Sequence, residues 1–238
     1  MEEYSEQENT TTENRKSMFD VSKELRQASQ VVSRMLIVTK SNPEERNPKM
    51  DVAEEMQKWM TQNAPSATGL LVFSGNFTIH LVEDSSENLF KLVAFTKSLL
   101  ELENPPIARA SVVAFTEENP DRVLKHWCSV TGNSSSSGEE VPEQVDTAQV
   151  SWTLYNNTLQ IATRMAKYFR GDQKPSQKEL ESALKSSSRE LLPEQEALAV
   201  AVTQHFTSIH DFEEIYLSTL DIVFDSELVW PCPEELSF

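Results

Sequence analysis

A chain of 238 residues that is 38% hydrophobic can bury one sizeable core with a helical appendage beside it. Its 38 acidic residues against 21 basic ones give a formal charge of -17, which repels phosphate backbones and anionic bilayer surfaces and so excludes nucleic acid and membranes as general partners. Two cysteines, Cys128 and Cys232, stand far apart and in no CxxC spacing, which excludes a disulfide scaffold or a zinc finger.

Residues 1–17 are polar and acidic, lack the apolar stretch of a signal peptide, and are expected to be disordered. The longest apolar runs, such as residues 197–202, are far too short to cross a bilayer, so a cytoplasmic setting is expected. A first domain, 18–130, opens on a weakly spaced leader helix through Phe19, Leu25, Ala28 and Val32. Residues 34–39, Arg-Met-Leu-Ile-Val-Thr, read as a buried strand closed by the breaker Asn42-Pro43. Asn47 and Pro48 suit the cap and first turn of a helix in which Val52, Met56, Trp59 and Met60 recur at helical spacing, ended by Ala64-Pro65.

Two strands, 67–73 and 77–83, flank a hairpin turn at Ser74-Gly75-Asn76. Asp84, Ser85 or Ser86 caps the next helix, whose apolar face is Leu89, Leu92, Val93, Phe95, Leu99 and Leu100. Pro105-Pro106 punctuates the chain before a strand at 107–115 and another at about 123–130. The order β-α-β-β-α-β-β predicts an α+β fold of the split βαβ, ferredoxin-like pattern with one added strand.

Residues 131–145, rich in Ser, Gly, Glu and Pro, read as a linker to a helical C-terminal region, 146–238. Val150, Leu154, Leu159, Ile161, Met165, Tyr168 and Phe169 predict one long amphipathic helix stopped by Gly171. Residues 176–187 predict a polar surface helix, Pro193 starts a third helix carrying Leu198, Val202 and Phe206, and 211–220 make a fourth. The tail, 222–233, is extended and apolar. Its Val229, Trp230 and Pro231 are expected to anchor it, in the chain's own core by preference or else on a partner. Trp59, Trp127 and Trp152 read as core or helix-packing residues.

Side chains that carry chemistry are few. His80 lies in a strand beside Ile79 and Leu81 and reads as a half-buried or solvent-facing histidine, with no carboxylate-histidine-nucleophile spacing around it. His126 and Cys128 share one face of a strand, but Cys128 reads as a small buried hydrophobe. His205 and His210 are five apart, off the spacing of a helical metal pair, and paired glutamates such as Glu54-Glu55 read as solvated charge. No P-loop, GxGxxG or GxSxG occurs. No cofactor or metal is expected.

The run Ala67-Thr68-Gly69-Leu70-Leu71-Val72-Phe73, a glycine turn, Ile79-His80-Leu81-Val82-Glu83-Asp84 and a helix resemble the blue-light-using-flavin (BLUF) domain over about residues 34–130, including Trp127 near that family's late tryptophan. The resemblance implies a BLUF-type fold. BLUF photochemistry needs a tyrosine in the first strand, a glutamine in the third and an asparagine late in the first helix. Here those positions hold Ile37, His80 and Gln62, so the resemblance implies a degenerate flavin site.

A closer resemblance, from about residue 34 to the end, is to the testis-expressed protein 47 family. It rests on Met35-Leu36-Ile37-Val38-Thr39-Lys40, the Thr68-Gly69-Leu70-Leu71 hairpin and, above all, Phe224-Asp225-Ser226-Glu227-Leu228-Val229-Trp230-Pro231. It implies a BLUF-like protein of sperm flagella and motile cilia. The expectation is a non-catalytic accessory protein of the axoneme that binds other axonemal proteins, such as radial-spoke or dynein-regulatory components. The competing expectation is a flavin- or small-molecule-binding sensor that kept a pocket between the two core helices.

Overall fold

The computed structural model describes residues 17, 18, 21, 32–42, 52–74, 76–132, 145–167, 176–188 and 194–218. The expected disordered start (1–16), most of the leader helix, Asn47-Pro48, Gly75, most of the linker, the stop at Gly171, and the tail with Val229, Trp230 and Pro231 lie outside them.

Among the described residues, five strands and six helices follow in the order β1 (Val32–Ser41), α1 (Val52–Asn63), β2 (Thr68–Ser74), β3 (Phe77–Asp84), α2 (Ser86–Leu100), β4 (Ile107–Asn119), β5 (Trp127–Thr131), α3 (Thr147–Ala166), α4 (Gln177–Ser188), α5 (Glu194–Val202) and α6 (Ile209–Leu217). The strands form one sheet in the order β4-β1-β3-β2-β5. The β4-β1, β1-β3 and β3-β2 pairs are antiparallel and β2-β5 is parallel. This is the ferredoxin-like order with a fifth strand added beside β2, the α+β architecture expected from the element pattern.

Side chains alternate between the two faces of the sheet, and both faces are covered. Met35, Ile37, Leu71, Val82 and Trp127 point to one side, where they pack with Met56 and Met60 of α1, Leu89, Leu92 and Val93 of α2, and Ile209 and Phe212 of α6. Leu36, Val38, Leu70, Val72, Ile79 and Leu81 point to the other, against Leu154, Ile161 and Met165 of α3, Leu180 and Leu184 of α4, and Val200 of α5. Every residue of β3 is buried, which is why the central strands read as near-continuous apolar runs. Each fully buried Leu, Ile or Val on these faces contributes about 1.5–3 kcal/mol of transfer free energy before ordering costs.

Local chemistry places the ends of several elements. Ser85 caps α2 by accepting from the Asn88 amide, and Asp146 caps α3 by accepting from the amides of Ala148 and Gln149. Ser208 and Asp211 form a reciprocal capping box at α6. Between α5 and α6 the chain runs over the edge strand: the Val112 amide donates to the Thr207 carbonyl, and Ser111 bridges Ser208. The polypeptide thereby crosses from one face of the sheet to the other.

Three expectations are corrected. The last strand begins at Trp127, because the amides of Val123 and Leu124 donate to the Glu83 carboxylate instead of a neighbouring strand. Helix α4 is no surface helix: Leu180, Ala183 and Leu184, at i, i+3 and i+4, are buried in the core shared with α3. Trp152 packs into nothing comparable and is 66% exposed on α3.

Candidate functional site

The face of the sheet under α1 and α2 holds Ile37, His80 and Trp127, where the resemblance places a flavin relay. Strand register puts Ile37 of β1 directly opposite His80 of β3, and Leu71 of β2 opposite His80 on its other side. Trp127, the first residue of β5, sits opposite Gly69. Its indole Nε1–H donates to Nε2 of His80 at 3.0 Å, with the two rings at 76° and their centroids 5.9 Å apart. An imidazole that accepts at Nε2 carries its proton on Nδ1.

Ile37, His80 and Trp127 therefore come together. Gln62 does not join them. It is exposed at the end of α1, and neighbouring Asn63 spends its side-chain amide on the Trp59 carbonyl, one turn back.

His80 is more deeply placed than its sequence neighbourhood suggests. It is 2% exposed, and burial in this apolar layer pushes its pKa down to about 3, so the ring is neutral throughout the physiological range. The partner of that neutral ring is an indole, a donor that does not ionise in the physiological range. The pair is a buried structural hydrogen bond. Beside it, Thr39 and Thr78 satisfy each other at 2.7 Å.

Gly69 explains how the strands close so tightly here. Its φ is +152°, and a Cβ at this position would lie 2.2 Å from the Leu81 carbonyl oxygen. No side chain fits between β2 and β3 at that point, so the Thr-Gly-Leu-Leu motif is fixed by a backbone approach.

The same positions test whether a flavin fits. Between α1 and α2, the half-buried rings of Trp59 and Phe95 stack with centroids 5.1 Å apart and planes at 16°. Ile37 supplies no hydroxyl, and His80 is committed to Trp127. A cavity among the described residues opens between the end of α1 and the start of β5, against Met60, Ser66, Thr68, His126 and Trp127. It measures about 250 Å³, below the roughly 300–1,000 Å³ usual for ligand pockets. These residues do not fit a flavin.

On the opposite face lies a buried charge centre that sequence reasoning missed. Glu83 of β3 is wholly buried, and its carboxylate accepts from Arg34 Nε at 2.8 Å, from Thr68 Oγ1 at 3.1 Å, and from the amides of Val123 and Leu124. Arg34 donates further to Asn119 Oδ1, to the Asp121 carbonyl and to Tyr155 of α3. Burial alone would lower the guanidinium's pKa, but its bonds to Tyr155 and Glu83 outweigh that and raise it. Arg122 completes the centre, donating to the Glu83 carbonyl and to Thr68 and lying beside Asp84. Four strands, the β4–β5 loop and α3 meet at this cluster. The signal was present in the alternation: Arg34 is in phase with Leu36 and Val38, and Glu83 with Ile79 and Leu81, so both charges had to point into a core.

The remaining chemistry-bearing residues do not converge. Cys128 is buried on the α3–α5 side of the sheet, with its sulfur 3.9 Å from the His126 carbonyl oxygen. Nε2 of His126 is buried without a hydrogen-bond partner. Among the described residues, no three of His, Cys, Asp and Glu gather as a metal site would require, and no helix is long and apolar enough to cross a membrane.

Fold and site together define an α+β domain of ferredoxin-like strand order with one added strand, in which Ile37 lies opposite a buried His80–Trp127 pair. The chain belongs to the testis-expressed protein 47 family, whose profile matches residues 31–218. No curated protein matches it significantly. Among solved structures it is similar to BlrP1 BLUF, at 16% identity over 43% of this chain and 65% of that one, with a TM-score of 0.35. It is also similar to Klebsiella pneumoniae BlrP1 in its calcium/cy-diGMP complex (14% identity, 50% of this chain, 33% of that one, TM-score 0.35) and to BlrB, a BLUF protein in its dark state (14% identity, 44% and 74%, TM-score 0.34). The chain thus spans less than two thirds of the first two of these structures.

Proposed function

We propose that this protein is a non-catalytic binding component of the sperm-flagellar or ciliary axoneme, held among accessory proteins such as radial-spoke or dynein-regulatory subunits. The observation that carries this reading is the replacement of the flavin relay by Ile37 and the buried His80–Trp127 pair, with Trp59 and Phe95 stacked between the helices. What is left of a photoreceptor-type fold is a rigid sheet covered on both faces, and such a body acts through its outer surface. The family name supports a testis setting. The formal charge of -17 favours partners with basic surfaces and disfavours broad contact with an acidic tubulin lattice.

Catalysis has no support in the placement of the candidate groups. His80 is sealed under α1 and α2, while Cys128 lies buried under α3–α5 on the other side of the sheet. The test is cross-linking of detergent-extracted sperm flagella followed by mass spectrometry. The chain is expected to stay with the extracted axoneme and cross-link to accessory subunits. Its complete release with the soluble or membrane fraction overturns the reading.

A further inference from the structure

Among the described residues, three consecutive large apolar side chains stand exposed in one place only, the last turn of α6: Ile215 at 66%, Tyr216 at 53% and Leu217 at 38%. The patch continues into the core. Tyr216 stacks on buried Phe212 at 4.4 Å and meets Phe115 of β4 edge-on at 5.9 Å, and Phe90 of α2 contacts both Phe115 and Phe212. Phe90 and Phe115 are themselves only half-buried. Ile215, three residues after Phe212, extends the same ridge outward. An aromatic cluster that is buried at one end thus opens to solvent at the other.

The described chain ends at Ser218, the C-cap of α6, so residues 219–238 depart from this patch. They carry Ile222-Val223-Phe224 and then Leu228-Val229-Trp230-Pro231, with no Lys, Arg or His among them. Ile222 lies four residue steps beyond Ser218, a reach of up to about 14 Å, which is enough to bring the triplet back over Ile215 and Tyr216. A segment tethered this close faces its seat at an effective concentration of roughly millimolar, above that of any free competitor at ordinary protein concentration.

We propose that the exposed end of α6, with Phe115 and Phe90 behind it, is the seat of the chain's own C-terminal segment. Ile222, Val223 and Phe224 cover Ile215 and Tyr216, and the Val229-Trp230-Pro231 anchor completes the cover. This inference does not depend on the axonemal reading.

Disulfide trapping in the full chain tests it, using I215C with V223C in a C232S background so that the buried Cys128 is the only other thiol. Mild oxidation is expected to give a monomer lighter by two hydrogens in most molecules, unchanged by tenfold dilution. Cross-linked dimers that grow with concentration assign the seat to a second copy and overturn the proposal, as do free thiols that persist in a folded monomer. Hydrogen exchange on the unmodified full chain is the second measurement, and it decides the matter if the cysteine variant misfolds. Amides of residues 222–224 should be protected at least tenfold and should lose that protection in I215D while β1 and β3 keep theirs. Unprotected amides there in the unmodified chain overturn the proposal.

Discussion

His80→Gln should remove a defined part of the protein's acid sensitivity. In the folded chain His80 stays neutral down to about pH 3, whereas in the unfolded chain it titrates at its ordinary value of 6.5. Between those values the unfolded state binds a proton that the folded state refuses. Stability from this group is therefore complete above pH 6.5 and is lost as pH falls toward 3. The slope is at most about 1.4 kcal/mol per pH unit, so moving from pH 7.5 to 5.5 costs about 1.4 kcal/mol, with most carboxylates still ionised over that range. Glutamine keeps an acceptor for the Trp127 indole and has no titration of its own. Urea unfolding followed by far-ultraviolet circular dichroism at the two pH values measures both proteins. The gap between wild type and His80→Gln should move in favour of the variant by about 1.4 kcal/mol at the lower pH. Parallel pH profiles would refute the claim that His80 is held neutral by burial.

Glu83→Gln turns an amide NH2 toward donors that now share one carboxylate, and it leaves Arg34 charged and poorly paired; a loss of about 3–5 kcal/mol in chemical denaturation is expected. A double change, Arg34→Met with Glu83→Leu, should recover much of that loss, which a double-mutant cycle reads directly. Gly69→Ala forces a Cβ toward the Leu81 carbonyl and should cost roughly 3–5 kcal/mol or abolish soluble expression. Purified protein should be colourless and show no light-induced red shift; a stoichiometric flavin spectrum that survives desalting would contradict the fit argument made from Trp59, Phe95 and Ile37.

Much of the sheet was legible because its strands are short β-branched runs bounded by Pro and Gly, and the helices around it carry apolar residues at helical spacing. What failed to show has a physical cause in each case. Helix α4 looked polar because three small or medium residues, Leu180, Ala183 and Leu184, suffice to fill a groove against α3 and the sheet, and a stripe that narrow is lost among lysines and serines. The start of β5 was misplaced because a carboxylate from another strand takes the amides of Val123 and Leu124, a long-range contact with no local signature. The degenerate site was half legible. Ile37 and His80 followed from alignment with the BLUF pattern, but the His80–Trp127 bond joins residues 47 apart and needed the parallel β2-β5 pairing to bring them together.

The two faces of β3 show how the fold's two halves depend on each other. Its even-numbered residues Thr78, His80 and Val82 face α1 and α2, the side on which flavin chemistry would occur in the BLUF pattern. Its odd-numbered residues Ile79, Leu81 and Glu83 face α3–α5, and Glu83 brings a charge into that layer. A carboxylate in an apolar layer is tolerated only when fully paired, and the pairing is drawn from β1, β2 and the β4–β5 loop, with Tyr155 of α3 lying over Arg34. The C-terminal helices are thus the second cover of the sheet, and they hold the partners of its charge centre in place. A sheet closed in this way is packed on both faces by the chain's own side chains.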